Sequence, residues 1–376
     1  MRIRLFAFIF QLTFHFTFSQ SKNSNITIHS RVDTSKKEIN EIAALWANYL
    51  NSEPDSVYDN PYWNEAEKNR FKDFDLSRLF IYQFSSKQLL NYYKPTILSI
   101  EKEADNYAIR TLFAADGLEG IYKKSNPWCI TKLYAVRENN KWKLKNALSV
   151  LTQEWKRKTV GKITFIYPPS HKFNDTLAKK ANEFCIRIVK DFQFPEYKPF
   201  DFYITNSGDA MGQLFNFDFY FAGYTTGVGM NEIRMLFSGI GSEWYPHELV
   251  HMIVPDKKRH RMINEGFATW QAGAGDKKTF DELVKILAIE LSKNNTIKFN
   301  DVLNLKWGWQ CNAFYTTGAL FCKLAIEKKG ISGLKMLLEI PQDNDKLVDT
   351  ICTLFGVSKA DFDKFWRTET LRYLRN

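Results

Sequence analysis

Residues His247-Glu248-Leu249-Val250-His251 place two imidazoles and a carboxylate on five consecutive positions. On a helix, residues four apart lie one turn apart on the same face. Both rings can then reach one zinc ion. Glu248, next to the first His, is placed to hold and deprotonate a water at that metal. Glu265 follows fourteen positions after His251, on what reads as the next helix. A carboxylate there completes a two-His, one-Glu set with one position left open for water, which is the catalytic form of a zinc site. The residues therefore predict one Zn2+, held by His247, His251 and Glu265, with Glu248 as general base. The expected reaction is hydrolysis, with a peptide bond as the first candidate.

The flanks fit a helix pair. Pro246 suits the first turn of the first helix, where a missing N–H costs nothing. Pro255 ends that helix and Gly273 closes the second. Val254 and Lys257 stand where the longer H-E-x-x-H-x-x-G-x-x-H pattern needs Gly and a third His, so that ligand set is excluded. Asn264 and Thr269 have the spacing to steady the His rings from behind. Trp244 and Tyr245 precede the first helix, as core residues or as walls of a substrate pocket.

The segment resembles the gluzincin metallopeptidases, above all those related to aminopeptidase N. The match is H-E-L-V-H followed by N-E-G-F-A-T-W at Asn264 to Trp270. The resemblance spans about residues 160 to 376 and is strongest at 243 to 270. It implies the same three ligands and the same base. The spacer between His251 and Glu265 is shorter than in aminopeptidase N, and that enzyme's large N-terminal barrel is missing. Downstream, Tyr315-Thr316-Thr317-Gly318-Ala319 resembles the family's Tyr-x-x-Gly-Ala segment, which implies that the Tyr315 hydroxyl stabilises an oxyanion. Gly227-Val228-Gly229-Met230-Asn231-Glu232 stands where the family carries Gly-Ala-Met-Glu-Asn, here in the order Met-Asn-Glu. The family's Glu in that segment holds a substrate amine, a role Glu232 would take. The other reading is an edge strand, Glu232 to Phe237, that pairs with an extended peptide. Gly229, Glu232 and Ile233 are the substrate-binding candidates, and exo- and endo-cleavage stay open.

A chain of 376 residues with 44% apolar and 15% aromatic content has room for two or three domains and a large core. The net charge is +10, with its densest basic run at Lys257-Lys258-Arg259-His260-Arg261. That run reads as a solvated connector, or as a device steering an acidic substrate. No basic stretch is interleaved with aromatics as nucleic-acid platforms are, so nucleic acid is not an expected partner. Cys129, Cys185, Cys311, Cys322 and Cys352 are scattered without a C-x-x-C pair and read as buried free thiols, with a single disulfide as the alternative, and not as zinc ligands.

Residues 1–19 read as a signal peptide, with Arg2 and Arg4 ahead of an apolar stretch from Leu5 to Phe18 and small residues around Ser19. Export to the periplasm or the extracellular space follows, with cleavage near Ser19 and no membrane span in the mature chain.

The organisation predicted is α+β. Residues 20–155 form an accessory unit, a helix on an antiparallel sheet in a cone, and 156–376 form the zinc domain. Ile39, Ile42, Ala43, Leu45, Trp46 and Leu50 make one helical stripe. Strands are expected at 96–100, 107–114, 128–137 and 141–150, with a hairpin turn at Glu138-Asn139-Asn140. Val136 to Leu144 resembles the last hairpin of nuclear transport factor 2-like domains, which implies a substrate-positioning module or an envelope partner. In the zinc domain, strands at 162–167 and 200–205 and a helix at 175–192 form a small mixed sheet with its edge strand. The helix pair and a C-terminal helical bundle follow. Two other readings remain: a non-catalytic envelope binding or assembly module that keeps the metal site, and a zinc hydrolase of a non-peptide bond.

Overall fold

Residues 93–115 and 129–145 carry runs of alternating apolar and polar side chains, and they fold into a meander. A computed structural model describes residues 26–52, 60–71, 75–78, 90, 93–115, 127–220, 223, 225–255, 258–274, 278–308 and 311–374. The leader expected at 1–19 lies outside the described residues. Strands β2 (Tyr93–Glu103), β3 (Asn106–Ala115), β4 (Cys129–Glu138) and β5 (Lys141–Lys145) pair antiparallel in sequence order, with β1 (Thr27–Ile28) parallel to β2. Asn139 and Asn140, at φ 48 and 61, make the tight β4–β5 turn that their side chains tolerate. Helix α1 (Lys37–Leu50) buries Ile39, Ile42, Ala43 and Trp46, and the Trp46 indole donates to Thr111 Oγ1 of β3 at 2.8 Å. Helix α2 (Glu65–Phe71) lies within the polar stretch that follows α1.

The strand expected over 141–150 is shorter. It stops at Lys145, and Ala147–Leu151 forms helix α3. The cause is Asn146 and a residue far along the chain. The Asn216 side chain accepts from Ala147 N at 2.7 Å and donates to Asn146 Oδ1 at 2.7 Å, which turns the chain at that point. Side chains seventy residues away are invisible to a local strand pattern.

The second sheet has five strands, in the order β10-β11-β8-β7-β6. Strands β6 (Lys156–Val160) and β7 (Ile163–Tyr167) form a hairpin, and β8 (Phe200–Ile204) joins β7 parallel after helix α4 (Asp175–Asp191). Next come helix α5 (Gly208–Leu214) and β9 (Phe217–Tyr220), which returns to the first sheet and pairs antiparallel with β4. Strands β10 (Gly227–Met230) and β11 (Met235–Ser238) follow, β11 parallel to β8. The remainder is helical: α6 (Pro246–Ile253), α7 (Arg261–Ala272), α8 (Phe280–Lys293), α9 (Phe299–Leu303), α10 (Ala313–Leu338, broken at Gly330), α11 (Asn344–Phe355) and α12 (Phe362–Leu371). Among the described residues, no helix is long and apolar enough to cross a membrane. All five cysteines are buried and free. The chain is thus mixed α and β, built on two mixed sheets.

The second sheet serves two cores. Phe165, Phe202, Ile204 and Leu236 point into the helices on one side. Ile166, Tyr203, Met235 and Phe237 point the other way, into a core shared with α1 and the first sheet. Arg70 of α2 reaches across to the Tyr203 hydroxyl and lies 3.7 Å from Asp201. Apolar area shared in this way is lost if either unit stands alone. Residues 156–376 expressed without residues 20–155 are expected to aggregate or to unfold without cooperativity. A monomeric fragment with one sharp denaturant transition would show that the two units fold independently.

Candidate active site

Helix α6 points Leu249, Val250, Met252 and Ile253 into the core, which leaves His247, Glu248 and His251 on the opposite face. Pro246 opens the helix as its sequence position suggests. Helix α7 brings Glu265 against that face. Its neighbour Gly266 packs on Gly318 of α10, with no room for a side chain on either. A Cβ on Gly318 would stand 1.9 Å from the Met262 carbonyl oxygen, and one on Gly266 would stand 2.2 Å from the Gly318 carbonyl carbon. This backbone-on-backbone crossing sets Tyr315, one turn before Gly318, over the site. The Tyr315 ring stacks on His247 with centroids 6.2 Å apart and planes 13° from parallel.

The three expected ligands converge. One atom from each of His247, His251 and Glu265 lies within 4.8 Å of the others. His247 Nε2 is 3.3 Å from Glu265 Oε2, and His251 Nε2 is 3.5 Å from the same oxygen. A tetrahedral ion with bonds of about 2.0–2.1 Å to nitrogen sets its ligand atoms about 3.3–3.4 Å apart. The donor set and its spacing therefore fit zinc. The other ring nitrogens are engaged: His247 Nδ1 lies 2.9 Å from the Gly273 carbonyl, and His251 Nδ1 lies 3.3 Å from the Asn264 side-chain amide. The carbonyl takes an Nδ1–H, so Nε2 is the nitrogen that faces Glu265 and becomes a ligand atom once its proton is lost. Asn264 thus stands where its spacing placed it. Thr269 does not reach the rings: its hydroxyl is buried and makes no hydrogen bond. The His247, His251 and Glu265 side chains are 12%, 15% and 18% exposed, so the cluster is mostly buried while each group keeps some access to solvent.

Burial opposes charge on His247, yet its contact with Glu265 outweighs that and carries the imidazole pKa up to about 9. Burial likewise opposes charge on Glu265, and the two histidines hold its carboxyl well below the usual range. Tyr315 is pushed well up, by burial first and by the Glu265 charge second, so it stays a protonated O–H donor.

Glu248 faces the glycine-rich strand. Cβ atoms built on Gly227 and Gly229 would stand 2.6 Å from Glu248 Cγ and 3.6 Å from Glu248 Oε2. Tyr245 closes the same corner, its hydroxyl 2.7 Å from Thr226 Oγ1. Burial and the Glu248 charge push the Tyr245 phenol up to about 12.

The edge strand is not the one expected. Residues Asn231–Ile233 form a 3-10 turn, Arg234 sits at a left-handed φ of 56, and β11 lies inside the sheet between β10 and β8. The edge is β10, so Gly229 lies on it, while Glu232 and Ile233 do not. Glu232 is exposed, and Ile233 packs against the core shared with the first sheet. The apolar run after Glu232 could not reveal this, because a buried inner strand and an edge strand read alike when short.

Other contributors carried no sequence signal. The Gly273 carbonyl that orients His247 is one. Glu243 is another: fully buried, it accepts from Asn174 N at 2.9 Å and lies 2.8 Å from His171 Nε2, which ties the start of α6 to the start of α4. A cavity of about 530 Å³ is walled by Trp244, Pro246, Trp270, Gly273 and Phe280 with Lys323 at its side, and none of His247, His251 and Glu265 lines it. Trp244 thus lines an open space as well as packing. From the basic run, Arg261 interacts with the Tyr315 hydroxyl. His260 caps α7 by accepting from Met262 N, and Lys257 lies outside the described residues.

No family model and no curated protein matches the chain. The site therefore stands on its own geometry.

Two outcomes follow. A metal entering the cluster at neutral pH must displace the His247 proton. Zinc affinity should therefore climb about tenfold per unit between pH 6.5 and 9 instead of levelling off above the ordinary imidazole pKa. Chelator competition across that range checks it, and a plateau from pH 7 would contradict it. Gly318→Ala should destabilise the fold by about 1–3 kcal/mol by forcing α7 and α10 apart, read from denaturant midpoints. A neutral substitution would show that the crossing has slack.

Proposed function

We propose that the chain is a zinc-dependent hydrolase of gluzincin type that cleaves peptide bonds. The observation that carries this reading is the convergence of His247 Nε2, His251 Nε2 and a Glu265 oxygen at the spacing of a tetrahedral ion. Two observations add weight. Glu248 stands on the same helix face, and Tyr315 stacks over the first histidine. A purely structural zinc needs neither. A zinc bound there supplies a Lewis acid that polarises the scissile carbonyl and acidifies a water.

The chain's own residues do the rest. Glu248 accepts the proton of the attacking water and returns it to the leaving amine. Tyr315 donates its O–H to the oxygen that gains charge, a donor role favoured by its raised pKa. Among the described residues strand β10 has one edge unpaired in its sheet, and it lies against Glu248 and His251, so it suits an extended peptide added as a further strand. Residues 20–155 act as the accessory unit of nuclear transport factor 2-like form, bracing the sheet behind the site and offering a surface to an envelope partner. The leader-like residues 1–19 support an exported enzyme.

The test pairs metal content with turnover. Wild type, Glu248→Gln and Tyr315→Phe should each carry about one zinc. Against a mixed peptide library read by mass spectrometry, Glu248→Gln should lose at least about a hundredfold in rate, and Tyr315→Phe about a hundredfold in kcat with KM little changed. Zinc in all three with no cleavage by wild type would favour the binding module or a non-peptide substrate. No zinc in wild type would sink the ligand assignment.

A further inference from the structure

Helix α6 has eight residues and ends two residues after its second zinc-binding candidate, His251. Its last carbonyls have no partner within the helix. The usual remedy, a glycine turning back in the left-handed conformation, is absent. The C-cap, Val254, is extended at φ −68 and ψ 130, and Pro255 follows. The carbonyls are taken instead by two side chains from the turn that leaves β10. Asn231 Nδ2 donates to His251 O at 3.2 Å and to Val254 O at 3.3 Å. Arg234 Nη1 donates to Met252 O at 3.1 Å, while its other nitrogens donate to Lys198 O at 2.6 Å and Pro199 O at 3.4 Å, just ahead of β8. Arg234 also donates to Asn231 Oδ1, which joins the two side chains into one unit.

Arg234 does this from φ 56 and ψ 47, a left-handed conformation unfavourable for a residue with a Cβ. Strain held in this way at the end of a two-turn helix points to a constraint beyond ordinary packing. What the clamp constrains is the distance between strand β10 and the last turn of α6. At that gap a Cβ on Gly229 would stand 3.4 Å from His251 Cβ. The guanidinium charge also favours the negative end of the helix.

Resting on the metal-site reading, we infer that Asn231 and Arg234 are positioning residues for the metal site. By gripping the carbonyls of His251, Met252 and Val254, they hold the His251 imidazole at its distance from Glu265, and they fix the same helix against the strand that would carry a peptide. The clamp acts through the backbone of α6 and touches no reacting atom.

Three variants separate this from a general contribution to folding. Arg234→Gly removes the guanidinium while relieving the left-handed strain, so it should leave the metal-free fold nearly as stable as before. Arg234→Lys keeps the charge but spans fewer carbonyls. Asn231→Asp keeps the oxygen that meets Arg234 and removes the donor to His251 O and Val254 O. Each is compared with wild type by two readouts: the zinc dissociation constant from chelator competition, and the melting temperature of the metal-free protein. Arg234→Gly and Asn231→Asp should weaken zinc binding about tenfold or more, with Arg234→Lys between them and wild type, and metal-free melting should shift by only a few degrees. Zinc affinities within about twofold of wild type would overturn the positioning role, whatever the melting temperatures do. Losses of affinity that merely track losses in metal-free stability would overturn it as well. Wild type that binds no zinc removes the site reading and the clamp together, an outcome distinct from variants that match a zinc-binding wild type.

Discussion

A buried carboxylate between two imidazoles is the constraint on which the structure turns. Taking Glu265 out of water is costly unless positive charge meets it. Within the chain that charge can come from His247 and His251, which pull the Glu265 carboxyl far below its usual range while Glu265 raises His247. Protons and a divalent cation compete for the same spot. The surroundings hold the three groups together whichever is present: the Gly273 carbonyl on one ring, the Asn264 amide by the other, and the Gly266–Gly318 crossing behind Glu265.

That crossing also explains the layering. Helix α7 can approach α10 so closely because neither Gly266 nor Gly318 carries a side chain, and both helices add residues to the core on one face of the second sheet. A sheet of five strands carrying Tyr203, Met235 and Phe237 on its other face cannot leave that face in water. The N-terminal unit covers it. Strand β9, returning from the second sheet's connection to pair with β4, and Asn216, bonded to both Asp75 and Asn146, stitch the two units across the divide. The division of the chain near residue 155 is therefore a division of sequence more than of core.

The cluster was legible where it depends on residues close in sequence. His247 and His251 needed only helical spacing, and Pro246 and Gly273 marked the helix ends that set it. The α4 helix, the first-sheet meander and the Asn139-Asn140 turn were legible for the same reason, since each is decided by its own residues. What was not legible depends on distant partners. The strand drawn through residues 141–150 stops because Asn216 caps a helix there. The edge strand moved from Glu232–Phe237 to Gly227–Met230 because pairing with β8, thirty residues earlier, puts β11 inside the sheet. The ring support from Gly273 is a backbone carbonyl, which no side-chain pattern announces.

The displaced edge changes what the strand can recognise. Gly227 and Gly229 are the β10 positions facing α6, while Val228 packs with Ile233 on the core behind. Tyr245 and Glu248 already fill the space a side chain at Gly227 would need. Toward the His247–His251–Glu265 cluster, then, the strand offers backbone and almost no side chain. A peptide laid along it would be gripped by main-chain hydrogen bonds, which are the same for every sequence, and drawn close because no Cβ intervenes. Glu232, exposed on the turn beyond the strand, is not part of that surface. Side-chain selectivity is therefore not built into β10 itself, and the aromatic walls of Trp244, Trp270 and Phe280 belong to a separate cavity at Pro246 and Gly273.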